Sequence, residues 1–439
     1  MSVRHRFSSM FKKPPATTEA SAAAAPVPMQ IDSCWVLADG SLCVDGWIAD
    51  SGLGAPLDAR LRGPGDQGWK PLLRKRRPDV GETLGLATAD GIAAFGFVGY
   101  VRGTELADDQ RLVELRSGGT MWLCPLPEFS PGGIPEGAFS GVLLDWDDLS
   151  PVTLSPIVDV IRQAPIPDAP EHRVLYTAEV TGGAPWLSIV VPLYGDFGYL
   201  RNLMLALTTD HVDGIELVLV SDDPTLTPQL YSWIQSWNDA LFGLSVVLVG
   251  HDRNGGFAAA CNTGWMAARA SKVLLLNSDV LVDRPGVDLR SLADCLDAGC
   301  AAVAPVLLFP IGTVQHAGMR IEPSTDFPGF DLPAHPGKHR PPSDFGTEPY
   351  EVPMLSGAAI MTTADTLREV GGVPLVFGKG DFEDVILSVD LRERGPLMVH
   401  PGVVWIHVEG ASYRREEHGG VPVTLAKSVV IGEQLERDR

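Results

Sequence analysis

The sequence predicts an α/β protein whose main domain is a mostly parallel sheet flanked by helices, preceded by a small all-β domain. Three observations lead there. Beyond Pro185, apolar strand-like runs alternate with segments of helical spacing, the pattern that builds a parallel sheet with helices on both faces. Between Met29 and Phe129, short strands alternate with Gly, Pro and Asp turns, as in a small antiparallel sandwich or barrel. With 439 residues, 45% apolar and 20% charged, the chain has the length for two or three domains and apolar material for a core in each.

In chain order, residues 1–28 read as a basic, disordered tail. Arg4, Arg6, Lys12 and Lys13 stand against one acid, Glu19, before the chain passes into Ala, Pro and Thr. An alternative is a short basic helix touching anionic lipid through Phe7, Met10 and Phe11, a peripheral membrane contact. The stretch lacks the apolar core of a secretory signal, and no run approaches the roughly 20 apolar residues that span a bilayer. Residues 29–130 form the β-domain, with strands expected at Cys34–Leu37, Ser41–Ile48, Leu57–Leu61, Ala94–Tyr100, Arg111–Leu115 and Met121–Leu123. Trp47, Trp69 and Trp122 there either fill a small core or stack on a sugar ring. Residues 131–184, rich in Pro, Gly and Asp with one helical patch near Ile157–Arg162, read as a connector.

Residues 185–415 carry the alternation: strands at Leu187–Val191, Glu216–Val220, Ser245–Val249 and Lys272–Leu276, with helices at Tyr199–Thr208, Gln229–Ala240 and Phe257–Ala270. Residues 416–439 are a C-terminal tail or helix. The formal charge of −21 excludes nucleic acid as the expected partner, since phosphate binding needs a basic face. It leaves room for a nucleotide whose diphosphate is bridged to carboxylates by a divalent cation. Six cysteines without a Cys-x-x-Cys pair speak against zinc and a disulfide framework, so a reducing, cytoplasmic setting is expected.

Ligands of such sheets bind beyond the carboxyl ends of the strands. Four strand ends here lead into polar residues: Pro192-Leu193-Tyr194-Gly195-Asp196, Ser221-Asp222-Asp223, His251 to Phe257, and Asn277-Ser278-Asp279. Turns favour such residues anyway, but four in series make a site. The Asn254–Gly264 stretch lacks the Gly-x-Gly-x-x-Gly of a dinucleotide loop, and its small residues suggest a helix starting close against the sheet.

In Asn254–Gly264, Leu274–Asp279 and Phe382–Val385, the chain resembles glycosyltransferase family 2 with its GT-A nucleotide-sugar fold, over roughly residues 186–412. It looks like bacterial rhamnosyl- and related transferases of polysaccharide synthesis. The resemblance implies inverting transfer of a sugar from a nucleoside-diphosphate-sugar to a hydroxyl of a glycan or lipid-linked acceptor. Mg2+ or Mn2+ would sit on the leaving diphosphate.

Asn277-Ser278-Asp279 looks like the family's Asp-x-Asp with Asn first, which implies Asp279 as metal ligand and Asn277 as a neutral oxygen toward metal or ribose. His407, in the segment Trp405–Ser412, is similar to the histidine that completes the metal shell. Asp384 is implied as the general base, with Glu383 positioning the acceptor; carboxylates at a helix start are also good caps. Pro192, Tyr194, Asp222, Asn254, Gly256 and Asn262 are implied nucleotide-sugar contacts. Ser356 and Gly357 are implied as the floor of the donor-sugar site. Many family members carry Asp where this chain has Ser221.

Residues 323–353, with eight prolines, are either a loop over the acceptor or a surface insertion; Gln315-His316 has no evident chemical role. A catalytically inactive relative that binds glycans through the β-domain is the competing function. A nucleotidyltransferase would want a basic Gly-rich loop at Val191–Asp196, which is absent.

Overall fold

The computed structural model describes residues 28–49, 56–62, 68–84, 96–102, 112–117, 119–130, 136–139, 142, 149–178, 183–210, 212–237, 244–378, 380–408 and 420–437. The basic stretch with Phe7, Met10 and Phe11, and the Glu409–Ser412 end of the histidine segment, lie outside the described residues.

Seven strands open the chain: β1 (Met29–Val36), β2 (Leu42–Ile48), β3 (Leu57–Leu61), β4 (Lys70–Lys75), β5 (Gly96–Val101), β6 (Leu112–Ser117) and β7 (Thr120–Pro125), with helix α1 (Pro78–Leu84) between β4 and β5. They form one antiparallel sheet in the order β1-β2-β5-β4-β3-β6-β7. Ile31, Val44, Leu57, Leu72, Phe97 and Leu115 fill a core on one face. The opposite face, with Trp35, Cys43, Val98 and Tyr100, joins a second core shared with residues from the far end of the chain. Trp69 packs against two guanidiniums, Arg60 at 4.5 Å and Arg116 at 4.3 Å from its ring centroid.

The stretch read as a connector contributes more than a link. It holds α2 (Ser155–Gln163) and β8 (His172–Ala178), and β8 pairs antiparallel with a strand of the second sheet. That sheet is built from β9 (Leu187–Leu193), α3 (Leu200–Thr209), β10 (Ile215–Ser221), α4 (Thr227–Ser236), β11 (Leu244–His251), α5 (Phe257–Ala267) and β12 (Lys272–Leu276). After them come β13 (Val280–Leu281), α6 (Pro285–Asp297), β14 (Ala302–Leu308), β15 (Val314–His316), the hairpin β16 (Arg320–Pro323) and β17 (Asp331–Ala334), then β18 (Tyr350–Val352) and β19 (Ala359–Thr363). The chain closes with α7 (Ala364–Val370), α8 (Glu383–Arg392), β20 (Leu397–His407) and α9 (Gly420–Arg437).

The sheet order is β13-β20-β14-β19-β12-β9-β10-β11-β8. Its apolar strands are buried on both faces: α3, α4 and α6 cover one, α5, α7 and α8 the other. The expectation of a mostly parallel sheet is corrected: among the described residues four of its ten pairings are parallel, and the sheet is mixed. The parallel block β12-β9-β10-β11 coincides with the strict strand–helix alternation. Between β14 and β19 no α-helix intervenes, and an antiparallel insertion needs no crossover helix.

The small residues of α5 bring it hard against this block. A Cβ on Gly264 would overlap Val190 Cγ1 and come within 3.1 Å of Val220 Cγ2. Replacing Gly264 by Ala is expected to overpack this contact and lower the unfolding free energy by about 1–3 kcal/mol. Chemical denaturation checks this, and an unchanged midpoint would show that α5 has room to move.

Candidate active site

The parallel block is level: Leu187 of β9 pairs with Ile215 of β10 and Lys272 of β12, and Ile215 pairs with Leu244 of β11. The residues after these four strands therefore emerge at one rim, and three groups of side chains collect there.

The first group surrounds Asp222. This carboxylate is 3% exposed and engaged on both oxygens. Oδ1 accepts from Gly255 N–H at 2.8 Å and meets His251 Nδ1 at 2.7 Å; Oδ2 accepts from Gly256 N–H at 2.8 Å. The other ring nitrogen of His251 lies 2.9 Å from Thr263 Oγ1. The carboxylate–imidazole–hydroxyl chain looks like a nucleophile relay, but Thr263 and His251 are both buried, so it serves as a clamp. Gly256 has φ 86° and ψ 171°, a conformation essentially confined to glycine, and it starts α5. Asn254 Oδ1 accepts from the same Gly256 N–H at 2.9 Å.

One turn into α5, Asn262 brackets Val373: Nδ2 donates to Val373 O and Oδ1 accepts from Val373 N–H, each at 2.8 Å. The polar groups named here of Asp222, Asn254, Gly256 and Asn262, the expected donor contacts, are hydrogen-bonded within the chain. Burial leaves ligand no access to the Asp222 oxygens, and local donors already satisfy them. These residues build the rim. Ser221, where the family often has Asp, is buried against Thr227 Oγ1 at 2.8 Å. Pro192 and Tyr194, at the end of β9, remain half-buried at the same rim.

The second group is Asp279 and His407. Val280 of β13 pairs with His407 at the end of β20, which brings Asp279 Oδ1 to 3.2 Å from His407 Nε2. His407 Nδ1 lies 2.8 Å from Gln315 Oε1, which accepts a proton carried on Nδ1, and Nε2 faces the Asp279 carboxylate. With Nε2 unprotonated, His407 and the Asp279 carboxylate together offer a cation two ligands. Asn277 adds a further acceptor, its Oδ1 buried with no hydrogen-bond partner. Among the described residues no cluster of three or more His, Cys, Asp or Glu side chains could enclose a metal. Two side-chain ligands with the remaining positions left to substrate phosphates and water is how Mg2+ is usually held, and the imidazole suits Mn2+.

Gln315 and its neighbour His316 were without a chemical role in the sequence. His316 is buried, and that burial, with His335 and His407 nearby, pushes its pKa well below the usual histidine value. As a neutral ring it accepts from Ser356 N–H at 3.4 Å through Nε2, so its Nδ1–H is directed at His335 Nδ1, 3.1 Å away. His335 comes from the proline-rich segment 323–353. That segment is tied down by the β16–β17 hairpin, by β18 on β20, and by His339 N–H to Val314 O at 2.7 Å.

The third group is the acid pair. Ser356 and Gly357 lead into β19, which runs antiparallel to β12, so its amino end reaches the rim where β12 has its carboxyl end. Asn277 N–H donates to Ala358 O at 2.9 Å, and Gly357 N–H donates to Asp384 Oδ2 at 2.9 Å. A short covalent and hydrogen-bonded path therefore links Asp384 through Gly357 and Asn277 to Asp279. Asp381 and Phe382, directly before the pair, both lie in the left-handed region with φ 74° and 68°. Such residues cost about 1–3 kcal/mol each and persist where surroundings hold them.

Burial, then the charge of Asp384, pushes Glu383 up to about 8, and its Oε2 is buried with no partner. Burial also raises Asp384, opposed by the Gly357 and Val385 N–H groups. The pair thus favours holding a proton, and the N–H donors at Asp384 favour ionisation there over Glu383. A carboxylate with access to a substrate hydroxyl, beside a neutral carboxylic acid, is suited to accept a proton.

The sequence profile of Glycosyl transferase family 2 matches residues 188–366. The chain is 31% identical over 269 residues to the O-antigen biosynthesis protein RfbC of Myxococcus xanthus; the matched region is 59% of this chain and 19% of that protein. Among solved structures it is similar to GalNAc-T7 with UDP, GalNAc and Mn2+ (TM-score 0.43, 18% identity, 70% of this chain and 61% of that one). It is also similar to the mannosyltransferase PcManGT of Pyrobaculum calidifontis in complex with GDP-Man and Mn2+ (TM-score 0.37, 18% identity, 60% and 65%). A third is S. aureus TarS (TM-score 0.36, 16% identity, 50% and 60%). The profile match spans β9 to α7 and stops short of the acid pair and His407. The chain thus carries, at residues 188–366, a domain of glycosyl transferase family 2, a family of glycosyltransferases.

Proposed function

We propose that this chain is an inverting glycosyltransferase that moves a sugar from a nucleoside-diphosphate-sugar to a hydroxyl of a glycan or lipid-linked acceptor in polysaccharide synthesis. The observation that carries the reading is the link from Asp384 through Gly357 and Asn277 to Asp279. On this reading the path joins a proton acceptor to a cation-binding pair. The GT-A nucleotide-sugar fold is the architecture this reading assumes.

Asp279 and His407 would hold Mg2+ or Mn2+, which, when bound, offsets the charge that develops on the leaving diphosphate. Gln315 keeps the His407 proton on Nδ1, leaving Nε2 free as a ligand. The unpartnered Asn277 oxygen accepts from ribose or faces the cation. Pro192 and Tyr194 bound the nucleotide, and Ser356 and Gly357 form the floor beneath the sugar. The acceptor hydroxyl attacks the anomeric carbon from the face opposite the diphosphate. Asp384 takes its proton as the new C–O bond forms and the bond to the diphosphate breaks. Glu383, protonated, positions the acceptor without adding a second charge to the pair. No described helix is long and apolar enough to cross a membrane, so a lipid-linked acceptor would be met at a membrane surface.

Screening UDP-, GDP- and dTDP-sugars with Mn2+ by thermal stabilisation identifies the donor, because binding to the folded state raises stability by mass action. Asp279→Ala is expected to weaken metal-dependent donor stabilisation by roughly 10-fold or more; an unchanged titration would remove Asp279 as ligand. With the donor in hand, Asp384→Asn is expected to keep donor binding while turnover falls roughly 10²- to 10⁴-fold. Near-normal turnover would show that Asp384 is not the base.

The protonation of Glu383 gives a test independent of substrate. Its folded pKa, about 8, lies above the ordinary value of 4.5, so the native state binds more protons than the unfolded chain between those values. Its contribution to stability is therefore full at low pH and declines as pH rises through that window. Glu383→Gln keeps the shape and removes the titration. The fall in melting temperature between pH 5 and pH 8 is expected to be several degrees smaller in the variant, and parallel curves would refute the raised pKa.

A further inference from the structure

The acid pair enters the site from a turn held by a part of the chain that lies beyond the family match. Lys427 of α9 is 3% exposed. Its Nζ donates to Gly380 O at 2.7 Å and stands 3.5 Å from Asp381 Oδ2. Three residues earlier, on the same face of α9, Thr424 Oγ1 donates to Asp381 Oδ2 at 3.3 Å. Lysine is rarely buried this far unless it is paired, and the pairing here is with the two residues that lead into Phe382. Asp381 and Phe382 are the consecutive left-handed residues, and Phe382 O accepts from Val385 N–H at 3.1 Å to start α8. Glu383 and Asp384 follow at once.

The helix that provides Lys427 is itself fixed. Arg162 of α2 grips Glu433 of α9 through two hydrogen bonds of 3.1 and 2.7 Å. Val423, Ala426, Val430 and Ile431 of α9 share one core with Ile157 of α2, Val98 and Tyr100 of the N-terminal sheet, and Val385 and Ile386 of α8. A line of packed elements thus runs from the first sheet through α2 and α9 to the turn.

We infer that α9 is part of the catalytic machinery, and that Lys427, with Thr424, is a positioning residue holding the strained Gly380–Phe382 turn from which Glu383 and Asp384 reach the site. The inference rests on the reading of Asp384 as the base. Released from Lys427, the turn relaxes toward ordinary backbone angles, and the start of α8 shifts relative to Gly357. Displacing a catalytic group by about 1 Å costs on the order of 10²-fold in rate without altering donor contacts on the far side of the floor.

The experiment uses the full chain and whichever of UDP-glucose, GDP-mannose or dTDP-rhamnose gives Mn2+-dependent release of nucleoside diphosphate. Lys427→Met alone leaves Asp381 facing an apolar group, so the informative variant is Lys427→Met with Asp381→Asn, which removes both charges together. It is expected to melt near the wild-type temperature and bind donor with unchanged affinity, while kcat falls roughly 10²-fold. Wild-type kcat in this variant overturns the inference, and so does an equal loss of donor affinity and kcat, the mark of general damage. If the double variant does not fold, Thr424→Val removes a single hydroxyl; a several-fold lower kcat at constant donor affinity supports the role, and an unchanged kcat overturns it. Asp384→Asn, measured alongside, separates the two readings. Turnover retained there removes the base and takes the positioning role with it. Turnover lost there but kept in the Lys427 variants removes only the role of α9.

Discussion

The site depends on one constraint, the level register of β12, β9, β10 and β11. Because Lys272, Leu187, Ile215 and Leu244 stand in line, four parallel strands end at one rim and deliver Asn277, Pro192, Asp222 and the 254–256 loop to it. The antiparallel insertion of β19 completes the rim. An antiparallel strand presents its amino end where its neighbours present carboxyl ends, so Ser356 and Gly357 arrive beside Asn277 rather than at the opposite edge. Without that reversal Gly357 would not reach Asp384, and the acid pair would have no backbone tie to Asn277 and Asp279.

Three buried carboxylates show how environment assigns roles. Asp222 meets two backbone N–H groups and a histidine, and its charge is consumed in holding the loop that starts α5. Asp384 has the Gly357 N–H and the start of a helix, enough to favour its ionised form over that of its neighbour while leaving acceptor capacity. Glu383 has a buried oxygen without a partner, and it holds its proton up to about 8. Burial raises Glu383 and Asp384 alike, and the count of N–H donors separates the two.

The N-terminal sheet belongs to the same mechanical unit as the chemistry. One of its faces packs with α2, α9 and α8 in one core, and Trp69, one of three tryptophans that could stack on a sugar, lies against two arginines.

The periodicity of residues 187–276 determined much of this architecture by itself, because strands buried on two faces and helices buried on one leave different apolar patterns. The resemblance to a known family, rather than periodicity, singled out Asp279, Glu383, Asp384 and His407, whose side chains stand in distinct local motifs. It assigned Asp222, Asn254, Gly256 and Asn262 to the ligand because turn residues and ligand contacts are the same residue types. Only the geometry shows that their hydrogen bonds close within the chain. The mixed sheet, β8 on its edge, and the partnerships of Gln315, His316, His335 and Lys427 left no local signal. They join residues separated by tens of positions in the chain, and such contacts are decided by packing in three dimensions rather than by any pattern along one.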